Sequence, residues 1–144
     1  MHSPKRFVER ASTTELSAAA SQILPEYPEV TAAYLYGSAA RGEPAADLDV
    51  ALLLHARPDI ERLEQLTARL QAEGAPNGPE LDVRPLLGTS PRFRANVLRE
   101  GRLLYEVDRR RRIEFEARAL SEWLDFKPTW ERMRRRMFDR WAGG

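Results

Sequence analysis

The feature that most constrains this chain is a pair of apolar segments, Val30–Tyr36 and Leu48–Leu54, joined by a loop that opens with Gly37-Ser38. Apolar runs of this length are typical of strands buried within a sheet. Asp47 and Asp49 stand where the second run begins. Because successive side chains of a strand point to opposite faces, the two aspartates project from the same face. The sequence therefore predicts two strands, the second of which is a buried central strand with two neighbouring carboxylates at its loop end.

These residue types suit a site for a metal ion and a phosphate. Asp47 and Asp49 offer hard oxygen ligands, and Mg²⁺ prefers one or two carboxylates together with water and phosphate oxygens. Gly37 allows the backbone to approach a phosphate closely, and Ser38 adds a hydroxyl and an N–H donor. The pattern predicts a site for magnesium and a phosphate group.

The arrangement of the Gly-Ser turn and the Asp-x-Asp strand resembles the nucleotidyltransferase superfamily that includes DNA polymerase beta. Within it, the segment Gly37–Leu54 is most similar to the minimal nucleotidyltransferases (MNT). Leu81–Val83 resembles the third carboxylate strand of that family. Val97–Glu106 and Trp123–Pro128 resemble the C-terminal part of MNT-type antitoxins that are paired with HEPN toxins. The resemblance extends roughly from Val30 to Pro128, in the order that the family requires.

Two features of the loop depart from the family pattern. Eight residues lie between Ser38 and Asp47, slightly fewer than is usual, and Ala46 precedes the first aspartate where a serine is common. Both changes lie in the loop that would seat the nucleotide, and neither removes a metal ligand.

The resemblance implies a role for each candidate residue. Asp47, Asp49 and Asp82 would hold two Mg²⁺ ions, which in such sites lie about 3.5–4 Å apart and clamp both oxygens of the displacement. Asp82 would also accept the proton of the attacking hydroxyl. The predicted nucleotide-binding residues are Gly37 and Ser38, at the β- and γ-phosphates of ATP, and Arg41, which would neutralise phosphate charge or form an ion pair with Glu43.

The implied function is that of an enzyme, a protein adenylyltransferase. It would transfer AMP from ATP to a tyrosine hydroxyl of a cognate HEPN ribonuclease toxin and so act as its antitoxin. One alternative is an antitoxin of the same fold that silences its partner by binding without catalysis. Another is a nucleotidyltransferase for a small molecule such as an aminoglycoside. A chain of 144 residues disfavours this and a template-directed polymerase, because both usually need a further substrate-binding domain.

Composition limits the other classes of function. With 42% hydrophobic and 31% charged residues and no cysteine, the chain is typical of a soluble protein without disulfides or thiolate zinc sites. The N-terminus has no signal-peptide segment, so a cytoplasmic location without membrane contact is expected. The net charge is −4 up to Asp108 (12 Lys/Arg, 16 Asp/Glu) and +5 from Arg109 onward (11 against 6). Direct nucleic-acid binding is not expected, because no binding motif accompanies the arginine runs.

Periodicity predicts an α+β fold, a small mixed sheet flanked by helices, in a single domain of residues 1–144 with a core of about 12–106. A capping-box pattern at Ser12–Glu15 predicts the start of a helix that Pro25 ends. The further predicted elements are a helix from Pro58 to Gly74 with Ile60, Leu63, Leu66 and Leu70 on one face, a strand at Leu81–Leu87, a helix from Ser90 to about Gly101 and a short strand at Leu103–Tyr105.

The last part of the chain, about 108–141, is predicted to form a helical tail of two helices. Asp108 would cap the first helix, and Lys127-Pro128 would break it. Its inward residues would be Ile113, Ala117, Leu120 and Leu124. The second helix carries an apolar stripe of Trp130, Met133, Met137 and Trp141, which either packs on the sheet or serves as a partner interface.

Overall fold

The structure, a computed structural model, describes residues 6–7 and 10–143. The helices are α1 (Arg10–Ile23), α2 (Ile60–Gly74), α3 (Pro91–Glu100) and α4 (Arg109–Ala142), and a 3₁₀ turn spans Leu24–Glu26. The strands are β1 (Arg6–Phe7), β2 (Val30–Tyr36), β3 (Pro44–Ala45), β4 (Asp47–Leu54), β5 (Glu80–Pro85) and β6 (Arg102–Glu106). The predicted α+β class is confirmed.

A four-stranded mixed sheet organises the molecule. Its strand order is β5-β4-β2-β6, and β4 and β5 run parallel while β2 is antiparallel to both of its neighbours. The short strands β1 and β3 form a separate antiparallel pair. Both apolar segments form strands, as predicted, and β4 is central, as predicted for Leu48–Leu54; β2 is the other central strand.

Each face of the sheet is covered by a pair of helices. Leu48, Val50 and Leu35 belong to a core cluster that α1 and α2 complete with residues such as Leu16 and Leu70. The residues that alternate with these on β2 and β4 join Val97 of α3 and Phe115 of α4 in a second cluster on the other face. Since Asp47 and Asp49 alternate with Leu48 and Val50, they lie on the face of α3 and α4.

Local signals fix several helix ends. The side chains of Asp59, Ser90 and Asp108 accept hydrogen bonds from the backbone N–H groups of Glu61, Phe93 and Arg111 at 2.9, 3.1 and 3.2 Å. Such caps satisfy N–H groups that have no partner within the helix. Helix α1 ends at Ile23, two residues before Pro25, as predicted.

Two predictions about α1 and α2 are wrong. Helix α1 begins at Arg10, so the capping-box pattern at Ser12 does not mark its start. A pattern of four common residues can occur inside a helix, where packing of Leu16 and Ile23 overrides it. Helix α2 begins at Ile60, with Asp59 as its N-cap, and not at Pro58. Ile60 is 73% exposed, whereas Leu66 and Leu70 on the same predicted face are buried.

The predicted break at Lys127-Pro128 is also wrong, since α4 continues through Pro128. Proline in a helix interior removes one hydrogen bond and costs about 3 kcal/mol. One ring contact crosses the proline and opposes this cost: Trp123 packs against Trp130 at a centroid distance of 5.6 Å. On the N-terminal side of the proline, Trp123 also packs against Phe126, at 6.4 Å. Arg92 of α3 also stacks over the ring of Trp130 at 4.7 Å.

The face of α4 that packs on the body differs from the predicted one. The four residues predicted to face inward, Ile113, Ala117, Leu120 and Leu124, are exposed, whereas Ala119 and Trp123 are buried. A polar network holds the first turns in place: the Tyr34 hydroxyl donates to Glu116 Oε1 at 3.0 Å, and Arg112 bonds both Glu106 and Glu116. The sequence offers two apolar stripes on this helix, and tertiary packing selects the one that meets α3 and β2.

In the part of the chain that the structure describes, no helix is long and apolar enough to cross a membrane.

Candidate functional site

The predicted carboxylates lie on adjacent strands at one end of the sheet. In the parallel pairing of β4 and β5, Asp49 is directly opposite Asp82, and Asp47 is opposite Glu80. In the antiparallel pairing of β2 and β4, Tyr36 is opposite Asp49. Residues that are paired in register project from the same face of a sheet. Tyr36, Asp49 and Asp82 therefore form a row across three strands, which we call the carboxylate row. Asp47 lies on the same face of β4, two residues before Asp49.

Negative charge is concentrated around Asp49. Burial raises the pKa of Asp49, and the charges of Asp82 and Asp47 raise it further, while Arg84 lowers it. Burial also raises the pKa of Tyr36, and Asp49 adds to that effect. A carboxylate that is half-buried beside two like charges gains from a cation placed between them. The site is therefore electrostatically prepared for a positive ion.

Tyr36 forms a wall of the site. Its ring meets Phe93 of α3 edge-on, with a centroid distance of 5.4 Å and an interplanar angle of 87°. This contact holds Tyr36 between the helix and the carboxylate row. The next tyrosine along β2, Tyr34, is only 3% exposed and belongs to the core.

Gly37 has a backbone conformation and a neighbour that favour glycine. Its φ is +76°, and a Cβ atom at this position would lie 2.6 Å from Asp49 Oδ2. Any side chain would therefore strain the backbone and push the central carboxylate out of place. The sequence predicted Gly37 as a point of close approach for phosphate, and the structure adds close approach to Asp49.

The loop after Gly37 is held by its own backbone. The Gly37 carbonyl accepts hydrogen bonds from Ala40 and Arg41 at 3.1 and 3.3 Å, and the Ser38 carbonyl accepts one from Glu43 at 3.0 Å. The turn follows β2 directly, and β2 lies beside β4. Gly37 and Ser38 are thus brought to the same end of the sheet as the aspartates.

Arg41 is committed to two carboxylates. It forms a two-pronged pair with Glu43, at 3.1 and 3.2 Å, and its third nitrogen reaches Glu100 at 3.0 Å. Glu100 is the last residue of α3, and a negative charge at the C-terminus of a helix is unfavourable because of the helix dipole. Arg41 neutralises this charge and links the loop to the end of α3. The ion pair with Glu43 that the sequence suggested is present. Phosphate contact by Arg41 stays a prediction.

Arg84 is a residue of this site that the sequence reasoning missed. It follows Asp82 by two positions on β5, so both side chains are on the same face, and its Nε lies 3.1 Å from Asp82 Oδ2. Its positive charge lowers the pKa of both Asp49 and Tyr36. The period-two alternation of β5 was a signal that could have identified it.

The carboxylates of the site suit a magnesium ion that the protein and a nucleotide would bind together. Among the described residues, no three acidic or histidine side chains converge to hold an ion by themselves. Asp82 is turned toward Arg84, while Asp47 and Asp49 share a strand face. Magnesium is usually bound through one or two carboxylates and completed by water and phosphate oxygens. Asp47 and Asp49 fit that use, with Asp82 as the candidate third ligand.

A mixed sheet with carboxylates in register on parallel strands, beside a Gly-Ser turn, defines a class of enzymes that transfer nucleotides. The family model of polymerase beta nucleotidyltransferases matches residues 19–110, which is more than half of the sequence. The chain therefore belongs to the polymerase beta nucleotidyltransferase family, and the family predicted from the sequence is confirmed. Comparison with curated proteins gives no significant match.

Solved structures with a similar fold come from toxin–antitoxin complexes. A mutant MntA-HpeT complex with two aspartates replaced by glutamate matches with a TM-score of 0.71 and 17% identity, covering 85% of this chain and 98% of that chain. A toxin–antitoxin structure with AMP-PNP matches with a TM-score of 0.70 and 18% identity, covering 85% and 98%.

A third structure is a tri-AMPylated Shewanella oneidensis HEPN toxin in complex with MNT antitoxin. It matches with a TM-score of 0.69 and 17% identity, covering 88% of this chain and 98% of that chain. At these identities the likeness concerns the fold. It extends over nearly the full length of the matched chains and confirms the predicted nucleotidyltransferase architecture.

Proposed function

We propose that this chain is a magnesium-dependent adenylyltransferase that transfers AMP from ATP to a tyrosine hydroxyl of a HEPN-type toxin and thereby acts as its antitoxin. The observation that carries the proposal is the register of β4 and β5. It places Asp49 opposite Asp82 on the face that also bears Asp47. The Gly37-Ser38 turn lies at the same end of the sheet.

The proposed reaction transfers one AMP group by forming one bond to phosphorus and breaking another. The acceptor hydroxyl oxygen attacks the α-phosphorus of ATP, the bond from that phosphorus to the β-phosphate oxygen breaks, and pyrophosphate leaves with the bonding electrons. The hydroxyl proton passes to Asp82. Bound magnesium would supply positive charge to the electron-rich phosphate oxygens.

The chain's own residues would orient the nucleotide. Asp47 and Asp49 would hold the metal-bearing phosphates at the start of β4, and the Gly37-Ser38 turn would contact the β- and γ-phosphates with backbone N–H and hydroxyl groups. Arg84 bonds Asp82 of the carboxylate row directly, whereas Arg41 bonds Glu43 and Glu100. Arg84 is the better candidate for neutralising phosphate charge.

Two further observations support the nucleotide and the partner. A protein with a similar fold is described in a toxin–antitoxin structure with AMP-PNP, an ATP analogue. Another occurs in a complex whose HEPN toxin is tri-AMPylated. This chain covers almost the full length of both matched chains, which supports the proposal that its partner is a HEPN-type toxin.

The test is the persistence of inhibition. The HEPN-type toxin proposed as the partner would be incubated with this chain, ATP and Mg²⁺, and then separated from it. The ribonuclease activity of the toxin would then be measured. The proposal predicts that the toxin stays inactive, because a phosphodiester does not reverse on dilution. Inhibition that needs no ATP and disappears on separation would replace the proposal by silencing through binding. AMP transfer to an aminoglycoside but not to the toxin would replace it by a small-molecule enzyme.

A further inference from the structure

Helix α4 packs on the body through one stripe that continues beyond the body. The packed residues Phe115, Ala119, Trp123, Phe126 and Trp130 follow each other at intervals of three or four positions, the spacing of one helix face. Met133, Met137 and Trp141 continue the same spacing. The stripe that binds α4 to α3 and β2 therefore extends through the last three turns of the helix.

The cover of this stripe ends at Trp130. There the ring of Trp130 packs against Trp123, with a centroid distance of 5.6 Å. The guanidinium carbon of Arg92 in α3 lies 4.7 Å from the centroid of the same ring. Past this point Met133, Met137 and Trp141 are 52%, 68% and 92% exposed. The segment 131–142 adds about 18 Å of helix at a rise of about 1.5 Å per residue. We call the face formed by Trp130, Met133, Met137 and Trp141 the tail face.

The charge around the tail face selects its partner. Residues 131–142 contain five arginines, Arg132, Arg134, Arg135, Arg136 and Arg140, against Glu131 and Asp139. Arg134 already lies over Trp130 at 5.5 Å. Two tails packed face to face would bring these arginines together, which costs free energy, whereas an acidic surface would pair with them. Apolar residues at intervals of three and four suit a partner that is itself helical.

We propose that the tail face is the docking surface for an acidic helical surface of the toxin. This inference rests on the proposed function, because it takes the toxin as the occupant. The sheet and its packed helices would then catalyse AMP transfer, and the exposed end of α4 would bind the toxin. A long helix that keeps its packing stripe after the body ends is suited to that division.

The experiment compares two stripes of the same helix. The tail variant is Met133→Ser/Met137→Ser/Trp141→Ser. The control is Leu120→Ser/Leu124→Ser, which removes two exposed apolar side chains from another face of α4 (37% and 67% exposed). Binding to the HEPN-type toxin proposed as the partner is measured by calorimetry without ATP. Circular dichroism verifies that each variant keeps its helix content.

The tail variant is expected to bind the toxin at least about a hundredfold more weakly, since a few central aromatic and apolar residues dominate most interfaces. The control is expected to stay within about threefold of wild type. Wild-type affinity should also fall as salt rises, because salt screens exposed arginines. Wild-type affinity in the tail variant, or an equal loss in the control, would overturn the proposal.

Two other occupants are tested in the same series. A wild-type chain that forms dimers in sedimentation, and a tail variant that does not, would assign the tail face to a second copy and overturn the proposal. Binding to phosphatidylserine vesicles that the tail variant loses, with toxin affinity unchanged, would assign it to a membrane surface.

Failure of this inference is distinguishable from failure of the proposed function. Normal toxin binding by the tail variant, together with AMP transfer by the wild type, would overturn the docking surface alone. Lost binding in the tail variant, without AMP transfer by the wild type, would support the docking surface and overturn the enzyme.

Discussion

The carboxylate end of the sheet and the exposed end of α4 are built on opposite principles. At the carboxylate end, negative side chains are fixed on neighbouring strands: Asp49 and Asp82 are opposite each other in register, and Gly37 approaches Asp49 so closely that no Cβ fits. At the end of α4, apolar and positive side chains project from a helix without cover, and Trp141 is 92% exposed. In our proposals the first region carries out chemistry on a nucleotide, and the second binds the partner.

The sharpest test of this division removes the carboxylates. Asp47→Asn/Asp49→Asn should lower AMP transfer at least about a thousandfold, roughly 4 kcal/mol, because the residues that would hold the metal-bearing phosphates are lost. Toxin binding measured without ATP should be unchanged. Glu64→Gln/Glu73→Gln, on the exposed surface of α2, is the control with the same charge change. Transfer at the wild-type rate would end the metal assignment.

The melting temperature of the same double variant should differ from that of the wild type in a way that depends on pH. The pKa of Asp49 is raised in the folded state, so its ionised form destabilises the fold at neutral pH. Replacement by asparagine should therefore raise the melting temperature slightly at pH 7. The difference should vanish as the pH falls below about 4, where the wild-type aspartate is protonated in both states. A variant that melts lower than wild type at pH 7 would contradict this.

Substitutions in the packed middle and at the exposed end of α4 should differ strongly in their effect on the free energy of unfolding. Trp123 is 7% exposed and contacts two aromatic rings, so Trp123→Ala should lower the free energy of unfolding by about 3–5 kcal/mol. Trp141→Ala should change it by less than about 0.5 kcal/mol. Denaturant unfolding of both variants measures the contrast. Equal losses would mean that Trp141 packs on the body.

At the carboxylate end, Gly37→Val should abolish measurable ATP binding. Both Gly37 and Gly88 have positive φ, +76° and +84°, so valine at either position should cost at least about 1–2 kcal/mol of stability. Only at Gly37 would the new Cβ meet Asp49, because nothing lies within 4 Å at Gly88. Calorimetry with Mg²⁺ and ATP compares the two variants. An equal effect on ATP affinity would show that strain alone is responsible.

The smallest effect is expected from Ser38→Ala. Loss of one hydrogen bond to a charged phosphate should weaken ATP binding by about 1–2 kcal/mol, roughly five- to thirtyfold. Ser21→Ala, on the exposed surface of α1, serves as the control. Unchanged ATP affinity in Ser38→Ala would remove the hydroxyl from the site and leave the turn's backbone as the phosphate contact.

Patterns local to the sequence predicted the sheet and its carboxylates. The alternation of Asp47, Leu48 and Asp49 fixes which face each side chain occupies, and the apolar runs fix the strands, so β2 and β4 were correctly predicted. Contacts between distant residues were not predictable in this way. Arg41 reaches Glu100 across 59 positions, and no local pattern encodes that pair.

Helix α4 shows the limit most clearly. Pro128 is a strong local signal for a break, yet α4 continues through it. The contact between Trp123 and Trp130 that crosses the proline is not encoded in that local signal. The stripe of Ile113, Leu120 and Leu124 is as periodic as the stripe that actually packs. Which stripe is buried depends on where α3 and β2 lie, and that is a property of the whole fold.

The central claim is that this chain modifies its partner covalently. Intact-mass spectrometry of the toxin, incubated with ATP, Mg²⁺ and either wild-type or Asp49→Asn protein, tests it most directly. The account predicts that the wild type adds the mass of one or more AMP groups and that the Asp49→Asn variant, which still binds the toxin, adds none. Complete inhibition by the wild type without any added mass would contradict the account and make the chain a binding antitoxin.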